Sequence, residues 1–354
     1  MILLDNIVFE IQKAGGISAV WSAVLNELNE RHAECTVLEN PTCKDNIFYQ
    51  EISQAKIVED IGNLTLRRYQ DVKCKENITL FHSSYFRVHA SKKIKNIVTV
   101  HDFVYEKYDK GIRKYIHLFQ KKHALKRADV IICVSENTKA DLLTYHPWID
   151  NSIVRVIHNG VDKEFKPLLN TDENPRISEP PYLLYVGGRN IHKNFKAALQ
   201  LLTCDESVKL SLHLKVVGGG VFSESERLLI KELKLSNRVK HYSNINNHEL
   251  NHFYNNAYAL IYPSFYEGFG IPPLEAMAAG CPVICSNVSS IPEVVGNAGL
   301  MFDPHTPEEA EEYLVKLQDS SFRDSVINQG LLRASQFSWE KTGRETVNLY
   351  KELL

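Results

Sequence analysis

Two glutamates, Glu267 and Glu275, flank a glycine-rich turn in the stretch YPSFYEGFGIPPLEAMAA, residues 262–279. Gly268 and Gly270 shape the turn, and Pro272 and Pro273 suit the first turn of a helix, where a missing N–H costs little. The apolar run AYALIY just before it, residues 257–262, predicts a buried parallel strand. The unit is therefore strand, glycine loop with one acid, helix with a second acid. In an open α/β sheet such a loop lies outside the carboxyl ends of the strands, where ligands bind. The helix start adds free N–H groups and a partial positive charge that attract anions.

A second cluster points the same way. Residues 182–186 (YLLYV) predict a strand that ends in Gly187-Gly188-Arg189, and Lys193 and Asn194 follow at the start of a helix over 194–202. An arginine fork and a lysine point charge beside a glycine turn make a site for a diphosphate. Near the N-terminus, Gly15-Gly16 sits between strand-like residues 2–9 and an amphipathic helix running to about residue 31. Small residues there let a backbone approach a phosphate.

The stretch EGFGIPPLEAMAAGCPVICS closely resembles the E-x7-E signature of retaining, nucleotide-sugar-dependent glycosyltransferases of family 4 (group 1), which have the GT-B fold. The resemblance implies that Glu267 faces the donor-sugar hydroxyls and Glu275 binds the nucleotide ribose. Gly268, Phe269, Gly270 and Ile271 between them belong to the same donor-binding set. It also implies that Gly188, Arg189 and Lys193 meet the diphosphate, with Gly15 and Gly16 against diphosphate and acceptor. Gly218, in the triple glycine 218–220, and Ile245 are expected beside the base. His101 ends the strand VTVHD and is expected to contact the donor sugar; Asp102, His82 and Tyr85 are weaker candidates for the same region. Ser135 reads as a helix N-cap.

The resemblance implies two Rossmann-like α/β domains with parallel sheets facing a central cleft. The expected division is 1–165 on the acceptor side, a polar linker 166–181, a nucleotide-sugar domain 182–336, and a helix 337–354 returning to the first domain. Residues 40–77 are polar, weakly periodic and not assigned to elements.

Composition agrees with an ordinary soluble protein. At 354 residues two cores are expected. The formal net charge of −2 gives no basis for a nucleic-acid partner. No run reaches membrane-span length, and the first residues lack a signal-peptide pattern, so a cytoplasmic location is expected. The seven cysteines form no C-x-x-C pair, which argues against a zinc site or a disulfide framework. No D-x-D pattern is present, so no metal and no cofactor beyond the donor are expected.

The expected reaction is transfer of a hexose, with GDP-mannose favoured as donor, to a glycan or lipid-linked glycan acceptor of a bacterial surface polysaccharide such as O-antigen. A UDP-sugar donor, a GT-B epimerase and a non-catalytic nucleotide binder are the alternatives. An NAD-dependent oxidoreductase is disfavoured because no G-x-G-x-x-G follows the first strand. Residues 107–127 carry eight Lys or Arg and one acid among aromatic residues. A solvated helix face is the simpler reading, and a peripheral contact with the inner membrane is the alternative.

Overall fold

The structure, a computed structural model, describes residues 1–74, 77–168 and 180–354. Most of the expected linker, 169–179, lies outside the described residues. The chain forms two compact units, Met1–Gly160 with Ser338–Leu354, and Val161–Phe337.

Among the described residues, the first unit has a seven-stranded parallel sheet. Its strands are β1 (Ile2–Asp5), β2 (Cys35–Glu39), β3 (Ala55–Glu59), β4 (Leu80–Ser83), β5 (Lys95–Val100), β6 (Val130–Cys133) and β7 (Val154–Val156), in the order 3-2-1-4-5-6-7. The second has a six-stranded parallel sheet of β8 (Tyr182–Val186), β9 (His213–Val217), β10 (Val239–Tyr242), β11 (Ala259–Tyr262), β12 (Val283–Ser286) and β13 (Gly299–Phe302), in the order 10-9-8-11-12-13. In each sheet the order reverses once, between β1 and β4 and between β8 and β11, and crevices for ligands open at the strand ends there. β11 and β12 are buried at every residue because helices cover both sheet faces, which is why they read as unbroken apolar runs.

Two expectations about the first unit change. Only Ile2–Asp5 of residues 2–9 is strand, and Val8–Ile11 is a helical turn. Asp5 Oδ1 accepts the Ile7 N–H and Ser84 Oγ accepts the Val8 N–H, which turns the chain out of the sheet. Residues 40–77 contain the edge strand β3, whose half-exposed sequence AKIVE has no buried face to give a period. The second unit begins at Val161, ahead of the expected boundary after residue 165. Lys166 N–H and Leu168 N–H donate to Asn251 and Asn255 of the helix Asn247–Asn256, and so tie this segment to the second unit.

The last helix, Trp339–Leu353, packs on Gly16–Glu30, and Val347, Leu349 and Tyr350 join Trp21, Val24 and Leu25 in the first core. The two helices meet closely at Gly343, where a Cβ would lie 2.3 Å from the carbonyl oxygen of Ala23. Gly343→Ala is expected to cost about 1–3 kcal/mol by forcing these helices apart. Urea unfolding checks this, and a midpoint equal to wild type would show that the helices slide apart freely.

Candidate active site in the second unit

The loops leaving β8 and β11 carry the chemistry. Gly187, at φ +122°, starts a turn that runs through Ile191–Lys193 to Asn194, itself left-handed at φ +49°. The backbone N–H of Phe265, in the β11 loop, donates to the His192 carbonyl at 2.7 Å, which stitches the two loops together. Across this seam Lys193 Nζ lies 2.7 and 2.8 Å from the two carboxylate oxygens of Glu267. The Tyr262 hydroxyl is 3.4 Å from the same ammonium.

Glu267 is held from three sides. Ser264 Oγ donates to its Oε1 at 2.6 Å. Ser289 Oγ accepts its backbone N–H and donates to its carbonyl, and Ser290 Oγ reaches that carbonyl and the one of Phe269. The Tyr185 hydroxyl, buried under the β8 loop, donates to the carbonyls of Gly188 and Lys193. The carboxylate can therefore accept ligand hydroxyls in a fixed position, and the lysine can trade part of its ion pair for an incoming anion.

Gly270, at φ +123°, ends the β11 loop, and the helix Ile271–Ala278 begins there with Pro272 and Pro273 in its first turn. Phe269 is buried edge-on against Phe337. Gly268 precedes it in the loop that Ser289 and Ser290 pin. Glu275 lies on the helix, and the Tyr254 hydroxyl donates to its Oε2 at 2.8 Å. Enclosure pushes the Glu275 carboxyl up to about 7, against the Tyr254 hydrogen bond and with some help from Asp162.

Arg189 departs from expectation. Instead of presenting its charge for a diphosphate, it folds under the loop after β9. Gly218, Gly219 and Gly220 are all left-handed (φ +89°, +72° and +70°), which turns successive carbonyls towards one point. The guanidinium fills that point: Nη1 donates to Gly218, and Nη2 donates to Gly219, Gly220 and Val221. Nε donates to Glu226 at 2.8 Å, and the side chain is 4% exposed. Burial works to raise the Glu226 carboxyl, but the Ser223 N–H and this guanidinium hold it below its ordinary range. Gly218 is thus part of the arginine's cage. Ile245 is half-buried in the turn after β10, next to the Asn246–Glu249 capping box. A Cβ built at Gly188 would meet nothing within 4 Å.

In the first unit, His101 is half-buried at the end of β5 and lines a cavity of about 20 Å³ with His82, Ser84, Thr99 and Trp21. Desolvation pushes its imidazole down to about 4, with Asp102 opposing and Lys121 assisting. His82 is a core histidine, bonded to Tyr350 Oη at 2.6 Å and Thr99 Oγ1 at 2.9 Å. Tyr85 accepts from Arg68 at 3.3 Å. Gly15 and Gly16 begin the helix Gly16–Glu30, and Ser135 caps Glu136–Tyr145 through the Thr138 N–H.

In the basic stretch, four of the eight cations are taken up by partners within the first unit. Lys107 pairs with Asp141, Lys114 reaches the Glu106 carbonyl, Arg127 donates to the carbonyls of His89 and Ala90, and Lys121 is buried. Ile112, Tyr115, Ile116 and Phe119 of the helix Ile112–Arg127 form an exposed stripe.

Residues 14–165 match the family model described as Glycosyltransferase Family 4, and residues 170–331 match Glycosyl transferases group 1. The chain belongs to this glycosyltransferase family. It is 39% identical over 240 residues to O-antigen chain mannosyltransferase B of Escherichia coli, covering 65% of this chain and 62% of that one. It is 33% identical over 212 residues to O-antigen chain mannosyltransferase RfbU of Salmonella typhimurium, covering 58% and 56%. The matched segments thus span less than two thirds of these relatives. Two solved structures share the fold over 99% of this chain: sucrose-phosphate synthase of Thermosynechococcus elongatus (TM-score 0.74, 21% identity, 98% of that chain) and the lipopolysaccharide glycosyltransferase WaaG (0.70, 15%, 99%). Anabaena HepE in complex with UDP and glucose is a third (0.70, 14%, 99% of each chain). The fold of this glycosyltransferase is GT-B.

Several residues that hold the site escaped the sequence reading: Tyr185, Tyr254, Tyr262, Ser264, Ser289 and Ser290. The spacing S-x-x-E of Ser264 and Glu267 was the one local signal, and the serine pair after β12 gave none.

Arg189→Ala is expected to lower stability by about 1–3 kcal/mol, because the loop after β9 loses the charged donor that gathers its carbonyls and Glu226 loses its ion-pair partner. Arg189→Lys recovers little of this, since a point charge cannot serve the fork's partners. Chemical denaturation decides, and wild-type stability in Arg189→Ala would remove the structural role. Glu275 makes a second prediction. Its folded value of about 7 lies above the ordinary 4.5, so the folded state holds this proton more tightly. That contribution to stability is complete below about 4.5 and is lost as pH rises through about 7. Glu275→Gln should flatten the stability–pH curve across that window, and an unchanged slope would contradict the assignment.

Proposed function

We propose that this glycosyltransferase moves a mannosyl residue, with retention of anomeric configuration, from GDP-mannose to a hydroxyl of a lipid-linked surface-polysaccharide acceptor. The observation that carries the reading is the Lys193–Glu267 pair, held at the β8–β11 reversal beside the start of the helix Ile271–Ala278. Glu267 accepts hydroxyls of the donor sugar, Glu275 accepts those of the ribose, and Lys193 and the helix start meet the diphosphate. His101 remains neutral near pH 7 and serves as a hydrogen-bonding partner for the donor sugar. In the transfer step the bond from the anomeric carbon to the phosphate oxygen breaks. The bond to the acceptor oxygen forms on the same face, and the acceptor proton passes to the leaving phosphate. No protein base is required, and Glu267 acts by position and charge.

The named activities of the two O-antigen relatives support mannose as the sugar and O-antigen as the acceptor class. Metal independence is part of the proposal: Lys193 supplies the charge that a D-x-D-bound cation would otherwise bring. The proposal includes a location at the cytoplasmic membrane face. Exposed Ile112, Tyr115 and Phe119 among the cations of 107–127 suit shallow contact with an anionic bilayer. Among the described residues no helix is long and apolar enough to cross one.

Thermal shift against GDP, UDP, GDP-mannose, UDP-glucose and NAD tests the donor. A ligand at a hundred times its dissociation constant adds about 2.7 kcal/mol. Stabilisation by GDP and GDP-mannose, lost in Lys193→Ala, is the expected outcome. Stabilisation by UDP alone overturns the mannose donor, and none with any nucleotide overturns the reading. Transfer is expected to continue in excess chelator, and its loss there would remove metal independence.

A further inference from the structure

The helix Ile112–Arg127 buries a lysine where its amphipathic neighbours would place an apolar residue. Lys121 is 1% exposed, and its ammonium has three close partners, with the Phe86 ring farther off at 5.8 Å. It donates to the backbone carbonyl of Asp102 at 2.8 Å and to Glu106 Oε1 at 2.8 Å, and it sits 3.5 Å above the Phe103 ring. All three partners belong to the segment directly after His101. Asp102 Oδ1 in turn accepts the Val104 N–H and starts the short helix Val104–Lys107 that carries Glu106.

This arrangement is a poor source of stability. A buried ion pair loses much of its hydration, and replacing one by apolar groups of like volume is often neutral or stabilising. The Glu106 carboxylate even keeps one oxygen, Oε2, buried without a hydrogen-bond partner. What the lysine does deliver is geometry. Its helix is anchored by buried Ala124 and Leu125. From that anchor its ammonium fixes the carbonyl next to His101 and clamps the ring and the acid that follow.

We infer that Lys121 is a positioning residue for His101, fixing the 101–106 loop so that the imidazole at the end of β5 is held in one place. The inference rests on the reading of His101 as a donor-facing residue. The groups facing His101 are Asp102 on its own loop, Lys121 on the helix and His82 on β4. Burial and the Lys121 charge disfavour the imidazolium and Asp102 favours it, while a charge on His101 in turn disfavours one on His82. Glu106 is paired with the lysine.

The test uses the full chain and the double variant Lys121→Met/Glu106→Gln, which removes both buried charges together and avoids stranding one. The expected result is an unchanged or raised Tm. Together with it, kcat for transfer from GDP-mannose falls roughly 10- to 100-fold, as a misplaced group would cause, with donor KM near wild type. The His101 titration midpoint, followed by NMR without substrate, moves upward as the lysine charge is lost. Wild-type kcat in the double variant overturns the inference, whatever the midpoint does, provided His101→Ala is slow. If His101→Ala is as fast as wild type, the donor-facing reading of His101 fails instead. The NMR arm then decides for Lys121: a single sharp His101 ring environment retained in the double variant, at an unmoved midpoint, overturns it.

Discussion

The second unit is organised around one ion pair at a strand reversal, Lys193 with Glu267. Such a pair is costly to place: both side chains are mostly withdrawn from water, at 21% and 11% exposure, and each must find partners to offset lost hydration. The sequence answers with hydroxyls. Ser264, Ser289 and Ser290 fix the glutamate and its backbone, and Tyr262 and Tyr185 fix the lysine's side of the seam. Rigidity follows from this saturation, since neither loop can move without breaking bonds that the other supplies. A pair already satisfied internally, yet open on one side, is suited to exchanging one partner for an anionic ligand without rearranging the rest.

Arg189 and Lys193, both expected at the diphosphate, take different places here. A cation close behind β8 is needed, and lysine and arginine are both available, but the backbone decides between them. The carbonyls of three left-handed glycines and of Val221 gather at one place beside Glu226, more acceptors than the three donors of an ammonium can meet but matched by a guanidinium. Arg189 therefore shapes the loop after β9, and Lys193 keeps its charge beside Glu267. The family resemblance located both residues in the right loop. It could not supply the direction of the arginine side chain.

The parallel strands β8 and β11 were legible because they are buried within the sheet and read as uninterrupted apolar runs. The Ser135 cap was legible through local chemistry. What stayed hidden depends on distant partners. His82 looked like a site residue until its hydrogen bond to Tyr350, 268 residues away, made it part of the core. The strand β3 lies at a sheet edge with no buried face, so residues 40–77 offered no period to read. Lys121 looked like one cation among many, and only the fold reveals that it points inward to Asp102.

The most direct measurement is a crystal structure with GDP bound. The account predicts the diphosphate within hydrogen-bonding distance of Lys193 Nζ, the ribose hydroxyls on Glu275, and Arg189 still inside its cage of carbonyls. A diphosphate held by Arg189 swung out of that cage, with Lys193 and Glu267 still paired as they are now, would contradict it.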